Sequence, residues 1–225
     1  MLTVFSCRSF IADDLRSVDR TKTPWLILSG HRPIYVSSTD DGPPDGHQYV
    51  SRLLRAALED LLIEHKVDVT FWGHHHSYQR TCPMYNGSCV GFDDMGQALG
   101  PVHIVAGNAG APLYMNEQFD TPDYFQNIIV EYGYLRVTAD ATQLHVHAMS
   151  NKYGSVMDSV TLRKSESWHR GGRVERGNGG KSETGRAQMN GGTVASFVGP
   201  ADLKSGAVGA DSPSESCIRP FLCTT

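Results

Sequence analysis

Apolar positions recur at two spacings over the first two thirds of the chain. Val50, Leu53, Leu54, Ala57, Leu58, Leu61 and Leu62 follow one another every three or four residues, which places them on one face of a helix over 47–65. Arg55 and Glu59 stand one turn apart on another face, a modestly stabilising pair. A shorter helix is expected over 11–19. The segment 25–29, after Pro24, and the segment 67–72 are short apolar runs of the kind that form buried strands. Two such strands joined through a long helix predict a βαβ unit whose sheet is covered on both faces. Beyond residue 100 the pattern turns β-rich. A strand is expected from Val102, and 134–138 and 143–148 alternate across a turn as a hairpin does. A further strand over 156–162 closes the region. The fold class expected is α/β, a βαβ unit followed by a β-rich segment.

The periodicity stops near Ser165. Residues 166–225 are rich in Gly and Ser with mixed charge, and Trp168, Phe197 and Phe221 are their only aromatics. Such a stretch buries too little surface to offset its ordering entropy, so a largely disordered tail is expected. Its basic residues are interleaved with acidic ones, which fits a solvated linker better than a binding arm. With 225 residues, the chain is long enough for roughly one and a half domains of ~150 residues. A formal charge of −4 and a pI of about 6.2 give no basic surface for nucleic acid. No run approaches the ~18 apolar residues of a membrane span. The apolar stretch 1–5 is too short for the core of a signal peptide.

The placement of the histidines carries the chemistry. Both predicted βαβ strands end in histidine, at Gly30-His31-Arg32 and at Gly73-His74-His75-His76. Ligand sites of α/β sheets collect at the carboxyl ends of strands. Gly30 and Gly73 leave room there for a turn or a close backbone approach. If the chain is extended over 74–76, His74 and His76 share a side and His75 points away. A histidine pair at that spacing, with a third at a neighbouring strand end, points to a metal such as zinc, iron or manganese.

The run from Gly73 to Arg80 resembles the Gly-His-x-His block of the calcineurin-like metallophosphoesterases, in the form found in purple acid phosphatases. The segment from Val18 through Gly30-His31-Arg32-Pro33 looks like the preceding block of that family. Gly100 to Gly110, Tyr132 to Val137 and Asp158 to Leu162 look like its C-terminal segment. The resemblance implies a partial metallophosphoesterase β-sandwich with flanking helices. On this reading residues 1–98 are the C-terminal half of the phosphoesterase domain and 99–165 the β-rich C-terminal segment. It also implies hydrolysis of phosphate monoesters by a dinuclear site of Fe(III) with Zn(II), Mn(II) or Fe(II). By position, His31 and His74 would bind the divalent metal and His76 the ferric ion. His47 lies in the loop where the family places histidines near the leaving group, so a proton-donor or phosphate-contact role is implied beside the plain reading of a loop histidine.

The earlier blocks of the family, which supply two aspartates, a tyrosine and an asparagine, have no counterpart in place. Asp40-Asp41-Gly42 fits one of them as a string but follows His31, and Gly107-Asn108 lacks the histidine of another. The chain is therefore expected to hold the C-terminal half of a catalytic domain, with both metal positions undersupplied and one sheet edge near His31 exposed. A single three-histidine zinc site and a non-catalytic fragment are the alternatives. Of five cysteines, Cys82 and Cys89 flank a turn and can be bridged if that segment is a hairpin, the other reading being two free thiols. Asn86-Gly87-Ser88 is a glycosylation sequon, and bridge and sequon together fit a secreted or vacuolar setting. His145 and His147 share a strand face and are expected to be its polar side.

Overall fold

The computed structural model describes residues 2–39, 49–117 and 120–164, and the backbone of 193–197, 218–219 and 222–223. In chain order the elements are α1 (Leu2–Ser17), β1 (Trp25–Gly30), α2 (Tyr49–Glu64), β2 (Val69–Trp72), β3 (Tyr78–Tyr85), β4 (Ser88–Cys89), β5 (Val102–Ala106) and β6 (Phe125–Ile129). They continue with β7 (Gly133–Ala139), β8 (Gln143–Ser150), β9 (Val156–Arg163), β10 (Thr193–Phe197), β11 (Ile218–Arg219) and β12 (Leu222–Cys223).

The first sheet runs β1-β2-β5-β3. Its β1, β2 and β5 are parallel, and β3 turns antiparallel onto β5. The second sheet is antiparallel, in the order β10-β7-β8-β9. The pleat of the first sheet divides its side chains between two cores. Leu26, Leu28 and Trp72 point towards the helices and pack with Ile11, Leu15, Leu58, Leu61 and Leu62. Trp25, Ile27, Val69, Phe71 and Ile104 point the other way, onto Leu135, Val137, Leu144, Val146 and Leu162 of the second sheet. The result is a helix–sheet–sheet stack, the α/β sandwich with flanking helices that was expected. Burial on both faces explains why β1 and β2 read as apolar runs rather than alternating ones. Trp25 is fully buried, and its Nε1–H donates to Asp140 O at 2.6 Å, tying the first strand to the β7–β8 turn.

The structure departs from the sequence reading in several places. The first helix spans Leu2–Ser17 rather than 11–19. Leu53, placed on the apolar face of α2, is 44% exposed. The outer edge of β1 is not bare, because β11 and β12 pair with it in parallel. Those two strands and β10 fall in the stretch expected to be disordered. The rest of that stretch lies outside the described residues. β5 and β6, from the segment after residue 98, are strands of the first sheet. No described helix is long and apolar enough to cross a membrane.

Candidate metal centre

Parallel pairing of β1 and β2 brings two histidines together. Gly30 registers with Trp72, and one step on the Gly73 N–H donates to His31 O at 2.9 Å. A Cβ at Gly30 would lie 2.6 Å from the Trp72 ring, so glycine is what permits this close approach. After Gly73 the chain is not extended, contrary to the alternation argument. His74 has φ +65°, and the amides of His75 and Ser77 bond back to Gly73 O and His75 O at 2.8 and 2.9 Å. These two tight turns still set His75 inward, fully buried, between half-buried His74 and His76.

His31 Nε2 and His74 Nδ1 are 3.2 Å apart, with the rings edge to face. Two nitrogens that each bind one cation at ~2.0–2.1 Å, with about 100° between the bonds, are themselves about 3.2 Å apart. The pair thus has the spacing of two ligands of a single ion. The ring of His76 faces elsewhere. Its Nδ1–H donates to Pro112 O at 2.7 Å, so in the neutral ring the lone pair is on Nε2. His76 is still close enough to act on His31. Burial first, then the charges of Arg32 and His76, hold the His31 pKa below its ordinary value. Among the described residues no three His, Cys, Asp or Glu side chains converge on one point. The arrangement is a pair plus a single.

His47 lies outside the described residues. Cys82 and Cys89 form a disulfide across the β3–β4 hairpin, with their Cα atoms 5.7 Å apart. Asn86, with φ +50°, sits exposed on its tip. The backbone N–H of Asn86 donates to Glu59 Oε1 and that of Gly87 to Tyr35 Oη, both at 3.0 Å. Glu59, expected to pair with Arg55, thus accepts from the hairpin and from the Tyr35 hydroxyl, while Arg55 lies over the Tyr35 ring. Asn108 spends its amide on Glu131 O at 2.7 Å, in keeping with a structural role. His145 and His147 lie half-buried on one face of β8, and His145 bonds Thr161. The loop 111–117, which holds the partner of His76, carries no motif and was not foreseen.

A two-sheet stack with histidines gathered at the carboxyl ends of β1 and β2 is the frame of a metallophosphoesterase. The comparisons agree and sharpen it. Residues 4–78 match the family described as calcineurin-like phosphoesterase, and residues 100–159 match the iron/zinc purple acid phosphatase-like protein C family. The chain belongs to the purple acid phosphatases and covers part of their domain. It is 36% identical over 160 residues to probable inactive purple acid phosphatase 1 of Arabidopsis thaliana, covering 69% of this chain and 26% of that protein. It is 32% identical over 174 residues to acid phosphatase type 7 of Danio rerio, covering 71% of this chain and 39% of that protein. The purple acid phosphatase from seeds of yellow lupin (Lupinus luteus) superposes with a TM-score of 0.60 at 28% identity, over 78% of this chain and 31% of the lupin chain. The chain thus spans between a quarter and two fifths of the relatives named here.

Proposed function

We propose that this chain supplies the histidine half of a dinuclear phosphomonoesterase centre. His31 and His74 would hold the divalent ion, Zn(II), Mn(II) or Fe(II), and His76 the ferric ion. The observation that carries this is the 3.2 Å separation of His31 Nε2 and His74 Nδ1. When bound, two such ions supply charge to activate water and to clamp a phosphoryl group in line. The chain's own part is to present lone pairs. Pairing of β1 and β2 fixes two of them, and the Nδ1–H bond to Pro112 O frees the third.

Structural cation sites use about four protein ligands. Here one position has two histidines and the other has one, and the aspartate, tyrosine and asparagine blocks of the family are not in place in this sequence. The chain by itself is therefore expected to be colourless with iron and to hydrolyse p-nitrophenyl phosphate at pH 5 barely above background. Joined in frame to the missing blocks, it is expected to hydrolyse that ester, with His47→Ala lowering kcat. Cobalt(II) titration followed by absorption tests the ligand set directly. The chain takes up cobalt, and His31→Ala and His74→Ala each weaken uptake at least tenfold. Uptake unchanged in both variants would refute the assignment. A non-catalytic role is the second reading. It is favoured by the short ligand set and by a relative whose name includes the word inactive.

We also propose that Asn86 is glycosylated in a secretory or vacuolar compartment. Its exposure on the hairpin tip and the neighbouring disulfide support this reading. Expressed through a secretory pathway, the chain should shift on glycosidase treatment, and Asn86→Gln should abolish the shift.

A further inference from the structure

The loop 111–117, between β5 and β6, closes over the histidine turn through several independent contacts. The Tyr114 N–H donates to His76 O at 3.1 Å. The Tyr114 ring lies over the His76 imidazole, with centroids 4.2 Å apart and planes 22° from parallel. Pro112 O accepts the His76 Nδ1–H at 2.7 Å. Asn116 Oδ1 lies 3.1 Å from Nε2 of the buried His75, whose Nδ1 faces Ser77 Oγ at 2.9 Å. The far end of the loop is itself anchored, since Asn116 O accepts from Thr39 N–H at 2.8 Å and from the Thr39 hydroxyl at 3.1 Å.

These contacts act on one ring in complementary ways. A carbonyl oxygen can only accept, so Pro112 O selects the tautomer that carries its proton on Nδ1. A neutral imidazole has one N–H, so Nε2 is left with a lone pair. The stacked phenol removes the freedom of the ring to turn about its χ2 torsion. The main-chain bond from Tyr114 to His76 O fixes the backbone from which the ring hangs. An outer group that orients a ligand in this way typically changes cation affinity 10–100-fold when removed.

We propose that Tyr114 is a positioning residue. Together with Pro112 it clamps His76 as the Nδ1–H tautomer, with Nε2 turned out and ready to bind a cation before any cation arrives. The cation part of this inference rests on the reading of His76 as a ligand. The tautomer part does not.

The test uses the full chain without metal, with ¹⁵N-labelled histidine and long-range ¹H–¹⁵N correlation at pH 8, His76 being assigned by loss of its signals in His76→Gln. The expected spectrum shows His76 protonated at Nδ1 and bare at Nε2. Tyr114→Phe, which keeps the stack, retains that pattern and takes up cobalt(II) within about twofold of the parent. Tyr114→Leu shows exchange between tautomers. A parent spectrum with Nε2 protonated, or a Tyr114→Leu spectrum equal to the parent's, overturns the clamp. A fixed Nδ1–H tautomer that is lost in Tyr114→Leu upholds the clamp even where the parent takes up no cobalt, and that combination counts against the proposed metal centre and not against the clamp.

Discussion

Asp158 shows how much a single side chain carries in this fold. It lies on β9 and accepts the Tyr78 hydroxyl at 2.6 Å and both Arg80 Nε and Nη2, at 2.6 and 3.0 Å. Both ends of the ion pair are well buried, at 14% and 8% side-chain exposure. Burial pushes the Asp158 carboxyl up, but the bonds from Arg80 and Tyr78 outweigh it and hold the pKa below its ordinary value. The fold therefore favours the carboxylate form, and its contribution is lost only as pH falls below the ordinary carboxylate range. Tyr78 directly follows the histidine turn, so this clamp also pins the start of β3 to the second sheet. Replacing Asp158 by Ala strands a buried guanidinium, which costs about 3–5 kcal/mol. Urea unfolding should show that loss for Asp158→Ala. The double variant Arg80→Ala, Asp158→Ala should lose much less than the sum of the two single changes, because the stranded charge is gone.

The histidine turn and the end of β5 fit together as elements only because Gly107 has no side chain. A Cβ there would lie 2.1 Å from His75 O, which is main chain and cannot swing aside. Gly107→Ala is expected to cost on the order of 1–3 kcal/mol as overpacking and to weaken cobalt(II) uptake by moving His74 and His76. Gly110→Ala, where a Cβ meets nothing within 4 Å, should stay within about 0.5 kcal/mol of the parent. Calorimetry and metal titration on the two variants separate a displaced turn from a general glycine effect. This juxtaposition also shows where the sequence could be read and where it could not. β1, α2, β2 and the β7–β8 hairpin were legible because burial on one or two faces leaves a period in the chain. The candidate histidines stood out as well, because His31 and the 74–76 run come just after short apolar runs that end in glycine. β3 was missed because it carries Pro83 and the polar residues Gln79, Thr81 and Cys82, most of them buried through hydrogen bonds and a disulfide rather than by apolar patterning. The clamp on His76 was invisible for another reason. Pro112 and Tyr114 reach it from more than thirty positions away, and nothing in the local order of Ala-Pro-Leu-Tyr-Met announces that contact.

At the scale of the whole molecule, two buried basic groups set how stability depends on pH. Lys164 closes the end of β9 against the first sheet, 2.7 Å from Asp68 Oδ1 and over the Trp25 ring. Burial pushes it down to about 8 against the pull of Asp68. His103 lies wholly inside β5, where burial pushes it down to about 3. Thr70 Oγ1 accepts the Trp72 Nε1–H at 2.7 Å and so turns its own proton towards His103 Nδ1, also at 2.7 Å, which puts the ring proton on Nε2. The Tyr35 ring lies 5.0 Å away, and no acceptor for Nε2 is found among the described residues. In both cases the unfolded chain binds the proton more tightly than the folded one. Stability therefore rises with pH across each window, from about 3 to about 6.5 for His103 and from about 8 to about 10.5 for Lys164. In the first window one such group contributes at most about 1.4 kcal/mol per pH unit. His31, also depressed, adds in the same direction, whereas carboxylates enter only below about 4.5. The stability of the chain between pH 6.5 and 4.5 should thus fall steadily on acidification. His103→Gln, neutral at every pH and able to bond Thr70, should flatten that slope by up to about 1.4 kcal/mol per unit while leaving the slope above pH 7 unchanged. Urea titrations at half-unit intervals give the two slopes, and equal slopes for parent and variant would mean that His103 takes up its proton without unfolding the sheet.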